Sequence, residues 1–276
     1  MIYININGRF FKSTSAAVPY NNRSFRFGFG LFETMLVLDE QIQLKELHWE
    51  RLFAGIKQLN LALPELMTKD WIEEEILRTV KKNKLQKQAR VRFQIYAGRG
   101  GLFDGQYPWA EFVIECQPVE THIMQLNEKG LDMDYTEGIR KSADDIANLK
   151  SSNAMVYAVA ARQAIAKNID NCIIVNTDDN AIETTIANIF CIKDDKIYTP
   201  PLSEGCVAGV MRKHVLQQLG QNGFTVEERP FDRPFLKNAD SVFATNAIRR
   251  VKWISNIGET EYKLDKIFEV YENISF

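Results

Sequence analysis

Four short stretches combine residue types that could do chemistry. Lys150 stands in Asn148-Leu149-Lys150-Ser151-Ser152-Asn153, a link flanked by apolar Ile146 and Leu149 and followed by an alanine-rich run. An amine held in a partly desolvated link loses its proton more readily and can act as a nucleophile. Glu183 follows Ile182 and precedes Thr184 and Thr185, between two strand-like segments. A carboxylate there faces inward and needs a cationic partner. Gly205-Cys206-Val207-Ala208-Gly209-Val210-Met211-Arg212 carries a glycine-bearing loop into a helix-like run. The first-turn N–H groups of such a helix make an anion site. In His48-Trp49-Glu50-Arg51-Leu52, His48 and Arg51 share a helix face. Arg51 offers a permanent, forked charge suited to phosphate.

Each stretch alone has a plainer reading: a solvated loop lysine, a turn glutamate, an ordinary loop, an exposed helix arginine. Taken together they supply an amine, a buried carboxylate and a phosphate cradle. Those are the three things pyridoxal phosphate requires of a protein. A metal centre is not expected: His48, His122 and His214 are far apart in sequence, and Cys116, Cys172, Cys191 and Cys206 form no CxxC pair. The cysteines read as core residues, Cys206 beside the glycine loop included. Arg249-Arg250 with Lys252 reads as a solvated surface edge.

These residues need elements to position them. Ile2, Ile4 and Ile6 alternate into an Asn7-Gly8 hairpin turn, and Arg9-Phe10-Phe11 returns. The run Phe25–Met35 leads into a strand through Leu38, turned by Asp39-Glu40. Helical spacing predicts helices over 44–60 and about 68–83, then strands over 90–96 and 111–116. The short polar stretch Gln117-Pro118-Val119-Glu120-Thr121 reads as a linker, dividing the chain into 1–117, a 118–122 connection and 123–276. The second half is expected to hold strand 130–135, helix 152–166, strands 172–175, 186–192 and 196–199, helix 210–219 and strand 242–245. Helices intermingled with antiparallel strands make the class α+β.

The chain has 276 residues, enough for two modest domains with sizeable cores. With 34 Lys+Arg against 36 Asp+Glu the net charge is −2, which gives no footprint for nucleic acid. The N-terminus lacks a basic region followed by a long apolar run, so neither a signal peptide nor a membrane span is expected, and the expected location is cytoplasmic.

The sequence resembles the class IV aminotransferases, the fold-type IV pyridoxal-phosphate enzymes. The resemblance is carried by Ile6-Asn7-Gly8, by Phe27-Gly28-Phe29-Gly30-Leu31-Phe32-Glu33-Thr34 and by His48-x-x-Arg51-Leu52. Lys150-x-x-Asn153, Glu183-x-x-x-x-Asn188-Ile189-Phe190, Gly209-Val210-Met211-Arg212 and Thr245-Asn246-Ala247 complete it. It implies two domains with the cofactor between them and the Schiff-base lysine, Lys150, in the second. It also implies that Lys150 shuttles a proton and Glu183 holds the pyridine nitrogen. Arg51 and the amides of Val210 and Met211 would bind phosphate, helped by Asn246-Ala247, with Asn188 and Gly209 in the same cofactor set. Thr34 is a further proton-handling candidate; its plainer reading is a strand threonine. The family usually forms homodimers.

Gly-Val-Met-Arg and Thr-Asn-Ala look closest to the aminodeoxychorismate lyases, which release pyruvate and 4-aminobenzoate. A branched-chain type L-amino acid aminotransferase is the alternative, although Met155 stands where those enzymes carry a tyrosine. Two departures touch the substrate side: Phe29 interrupts the usual Gly-Asp-Gly, and Ala97 replaces a common arginine, with Arg99 two residues on. They motivate a third reading, a homologue that binds the cofactor with weakened turnover.

Overall fold

The computed structural model describes residues 2–103 and 109–276, which form two compact units. The first comprises Met1–Glu120 with Lys150–Ala154; the second comprises Thr121–Leu149 with Met155–Phe276.

The first unit is a six-stranded sheet with helices. Its strands are β1 (Tyr3–Ile6), β2 (Arg9–Lys12), β3 (Gly30–Leu38), β4 (Gln41–Ile42), β5 (Gln88–Ala97) and β6 (Ala110–Gln117); its helices are α1 (Arg23–Phe27), α2 (Lys45–Gln58) and α3 (Lys69–Lys82). The order is β2-β1-β6-β5-β3-β4, and the pairings are antiparallel. The β1–β2 turn takes positive φ at Asn7 (51°) and Gly8 (81°), the twist that suits a two-residue hairpin. On β5, Val91, Phe93 and Ile95 are buried while Arg90, Arg92 and Gln94 are half-buried. That alternation gives the sheet one core face and one polar face. Ile72, Ile76 and Val80 of α3 are buried in this unit, where Trp71 and Phe93 both pack on Phe112. Burying an isoleucine of this kind contributes about 1.5–3 kcal/mol.

The second unit holds β7 (Leu131–Tyr135), α4 (Met155–Lys167), β8 (Asn171–Val175), β9 (Ala181–Thr184), β10 (Asn188–Lys193) and β11 (Lys196–Thr199). It continues with α5 (Val210–Gln221), β12 (Val226–Glu228), α6 (Arg233–Lys237), β13 (Ser241–Asn246), β14 (Arg250–Ile257), β15 (Thr260–Glu261) and α7 (Asp265–Glu272). The path β12-β11-β10-β13-β14-β7-β8-β9 closes on itself, because β9 also pairs with β10 through Glu183↔Asn188. Six strands, β10-β13-β14-β7-β8-β9, therefore form a ring. Met133, Ile173, Ile189, Ala244 and Ile254 belong to its inner core. Ala160 and Ala164 of α4 pack with Cys172, Ile174 and Ile182 in a separate cluster outside it.

The class is α+β, as expected. The chain passes from the first unit to the second at Glu120/Thr121, within the 118–122 stretch. The sequence division puts Lys150 in the second half, whereas the structure puts Lys150–Ala154 in the first unit. The cause is strand-like pairing: Phe32 N–H donates to Lys150 O at 2.9 Å, Ser152 N–H to Gly30 O at 2.8 Å, and Leu31 faces Ser151. The same pairing delays the helix expected from 152, so α4 starts at Met155. The expected strand 186–192 is β10, which starts at Asn188, and β9 is an additional strand, so Glu183 lies on a strand rather than between two. Strand β14 escapes a period-two reading because its register shifts between Ile254 and Asn256. No helix among the described residues is long and apolar enough to cross a membrane.

Candidate active site

In the second unit the site starts from a bulge. The β8–β9 register shifts between Ile174 and Val175, so Ile182 and Glu183 both turn to the α4 side. A bulge re-aims side chains in this way. Glu183 is only 3% exposed. Its Oε1 accepts from Lys141 Nζ at 2.7 Å and from the Tyr157 hydroxyl at 2.8 Å; its Oε2 accepts from Val207 N–H at 3.0 Å. The cation the sequence argument required is Lys141. Burial, and then the neighbouring Glu183 charge, push the Tyr157 phenol well above its ordinary value, so it stays a donor.

The ladder sets Glu183, Asn188 and Thr245 side by side across β9, β10 and β13. Directly opposed residues share a face. Asn188 Nδ2 donates to Val207 O at 2.8 Å, and its Oδ1 lies against Gly209 so closely that a Cβ there would sit 1.8 Å away. Gly209 begins α5 with no side-chain cap. The amides of Val210 and Met211 thus open the helix without a capping oxygen, the arrangement that favours an anion. The Thr245 hydroxyl is buried without a hydrogen-bond partner. Asn246 Oδ1 accepts from the amides of Ile248 (3.0 Å) and Arg249 (2.7 Å), which folds the turn holding Ala247.

In the first unit, Lys150 Nζ lies 4.6 Å from the centre of the Phe32 ring, and the Arg92 guanidinium stacks on that ring at 3.7 Å. Thr34 pairs with Arg92 on the ladder and shares the Phe32 face of β3. A cavity of about 350 Å3 on this side is bordered by Arg92, Gln94, Tyr96, Glu115 and Ser152. The Tyr96 hydroxyl is buried and without a partner. Gly28, with φ 68°, ends α1 in a left-handed turn and packs on Asn153, linking the glycine motif to the lysine motif.

Arg51 and His48 reach the opposite face of β3, where both meet Glu33. His48 Nδ1 donates to Glu33 at 2.7 Å and Arg51 Nε at 2.8 Å, and an Arg51 terminal nitrogen joins them. Burial alone would raise the Glu33 carboxyl; Arg51 and then His48 outweigh it and hold it at about 2.

Of the expected substrate-side residues, Phe29 and Ala97 meet through their backbones. Phe29 precedes β3, and its carbonyl accepts from the Ala97 amide at 3.2 Å. Ala97 is buried at the end of β5, while Arg99 is exposed and lies 3.8 Å from Glu111. The arginine on the Lys150 side is Arg92, which sequence reasoning missed although the polar alternation of β5 marks it. Glu33, Lys141 and Tyr157 were missed as well. Cys206 is a core thiol, pushed up to about 12 chiefly by burial. Among the described residues no group of three or more His, Cys, Asp or Glu side chains is set to hold a metal.

These donors fit pyridoxal phosphate. A carboxylate held by three donors suits a protonated ring nitrogen, open helix amides suit the phosphate, and the orphaned Thr245 hydroxyl sits in the same row.

Comparison with known proteins agrees. An aminodeoxychorismate lyase of Vibrio harveyi is 29% identical over 253 residues, covering 90% of this chain and 90% of that one. A putative branched-chain-amino-acid aminotransferase of Methanocaldococcus jannaschii is 26% identical, covering 96% and 95%. The crystal structure of a branched-chain aminotransferase from Thermoproteus uzoniensis has the same fold, with a TM-score of 0.86 at 23% identity over 98% of this chain and 93% of that one. The family profile described as amino-transferase class IV matches residues 30–257, and with most of its length inside that match the chain belongs to the class IV aminotransferase family.

Proposed function

We propose that this is a pyridoxal-phosphate enzyme acting at the amino-bearing carbon of a small substrate, most like an aminodeoxychorismate lyase that releases pyruvate and 4-aminobenzoate. The observation that carries the reading is Glu183, buried and triply bonded on a strand row that ends at the uncapped start of α5. The Vibrio harveyi relative supports the lyase branch.

When bound, the cofactor supplies an electron sink that acidifies the carbon bearing the amino group. Glu183 holds positive charge at the ring nitrogen, and Lys141, Tyr157 and the Val207 amide keep that carboxylate in place. Asn188 fixes the Val207–Gly209 loop, so the amides of Val210 and Met211 receive the phosphate, with the Asn246-Ala247 turn and Arg51 as further phosphate ligands. Lys150 attaches the cofactor and moves the proton at the substrate carbon, with Thr34 as a second proton-handling group. Arg92 offers a substrate carboxylate the fixed charge that Ala97 does not, and Arg99 and Phe29 border its approach.

A branched-chain type L-amino acid aminotransferase is the second reading, supported by the Methanocaldococcus jannaschii relative. The two part at the fate of the proton that Lys150 removes. The homodimer belongs to the same proposal: exposed Tyr20, Phe25 and Phe103 offer the first unit an apolar surface for a second copy. So does a cytoplasmic location, which the four buried free thiols suit.

The test is the visible spectrum of the protein with pyridoxal phosphate, before and after a panel of L- and D-amino acids. We expect a band from the lysine-bound cofactor that Lys150→Ala abolishes. A band unchanged by amino acids, with pyruvate released from aminodeoxychorismate, supports the lyase. Conversion by an L-amino acid supports the aminotransferase. Absence of any band in the wild-type chain overturns the cofactor assignment.

A further inference from the structure

The mouth of the six-stranded ring holds a second constellation of charge. A cavity of about 220 Å3 opens there, between the starts of β7, β8 and β14 and the ends of β9 and β13. Arg249, Arg250 and Lys252 form one wall; Asp170, Asn171 and Thr184 lie among the residues opposite. The ladder explains why these cations face the cavity. Lys252 pairs with Ala244, which belongs to the inner core, and Arg250 pairs with Asn246 two residues on. Residues directly opposed on a ladder share a face, so Lys252 points to the inside of the ring, and Arg250 borders the cavity beside it.

The charges there are unbalanced. Among the described residues no carboxylate pairs with Arg249, Arg250 or Lys252. Lys252 donates to the Gln125 carbonyl, and Arg250 stacks on Phe276 with its guanidinium 4.7 Å from the ring centre. Asp170 already accepts from the Asp132 amide at 2.8 Å. Arg250 also holds a left-handed backbone, φ 59°, which a non-glycine residue adopts only at a cost. Burial, and then Arg249, push the Lys252 ammonium down to about 8, the response of a cation short of counter-charge.

We propose that this cavity binds a small dianion of the phosphate or short dicarboxylate class, with Arg249, Arg250 and Lys252 as its cationic wall. Three cations against one carboxylate leave about two positive charges, which a dianion neutralises. The site is separate from the Glu183 row. On β9, Glu183 turns outward to Tyr157, while Thr184, paired with inner-core Ile173, turns inward. The two sites use opposite faces of one strand.

The experiment is isothermal titration at constant ionic strength on protein saturated with pyridoxal phosphate, with inorganic phosphate in one arm and succinate in the other. We expect one saturable site in at least one arm, and the tighter ligand names the class. Lys252→Met and the exposed-site variant Arg249→Ala should each weaken binding about tenfold or more, while Glu183→Gln leaves it unchanged. Circular dichroism checks that each variant is folded, and Arg249→Ala keeps the test decisive if Lys252→Met is not. No saturable heat in either arm, or binding that both wall variants leave unchanged, overturns the proposal.

Discussion

Glu33 shows how a single carboxylate can anchor a helix to a sheet. It is 1% exposed and meets both His48 and Arg51, so its charge is compensated in a place where an uncompensated charge is costly. Its pKa sits at about 2 against an ordinary 4.5. A depressed folded-state value means stability that is present above about 4.5 and lost as pH falls toward 2. Glu33→Gln should therefore cost about 3 kcal/mol at neutral pH, and the gap from wild type should narrow between pH 4.5 and 2. Urea unfolding at pH 7 and at pH 3 measures both. A gap that stays constant across that range would show that the ion pair is not its source.

At the scale of elements, one glycine couples three of them. A methyl group at Gly209 would sit 1.8 Å from Asn188 Oδ1, so Asn188 on β10 must swing away. Its bond to Val207 O would go, and Val207 N–H is one of the three donors on Glu183 of β9. Gly209→Ala should weaken pyridoxal phosphate binding about tenfold or more while the fold persists. Asn188→Ala in the same chain should recover stability by removing the clash but not the affinity. Fluorescence titration and thermal unfolding separate the two effects, and unchanged affinity in Gly209→Ala would remove the loop from the cofactor cradle. The contrast between what sequence reveals and what it hides lies in this region. Lys150, Glu183 and the 205–212 loop are readable because their chemistry sits in short contiguous motifs. Lys141 is not, since it meets Glu183 across 42 residues of chain and only through a bulge that breaks the strand's alternation. Glu33 is hidden for a related reason: a glutamate within an apolar strand declares itself only when a helix delivers His48 and Arg51 to it. Arg92 was within reach of sequence, because Arg90, Arg92 and Gln94 alternate with Val91, Phe93 and Ile95.

At the scale of the whole molecule, the chain changes unit at 120/121, 149/150 and 154/155. Neither unit is thus a contiguous piece, and the segment that returns to the first is the one bearing Lys150. It pairs with the free edge of β3 at Gly30–Phe32, beside Gly28 and the Phe32 ring. Backbone donors and acceptors without partners destabilise an edge and invite pairing with other chains. A fragment of residues 1–120 should therefore keep the β5 side of β3 but lose protection at its start. In hydrogen exchange, the Phe32 amide of the fragment should exchange at least about tenfold faster than in the intact chain, while Phe93 and Ile95 at the centre of the sheet hold theirs longer. Adding a synthetic peptide spanning residues 148–154 should restore the Phe32 amide's protection. Equal protection of Phe32 in fragment and intact chain would mean that the lysine segment rests on β3 without contributing to its order, and the lysine's position would then have to be set from the α4 side.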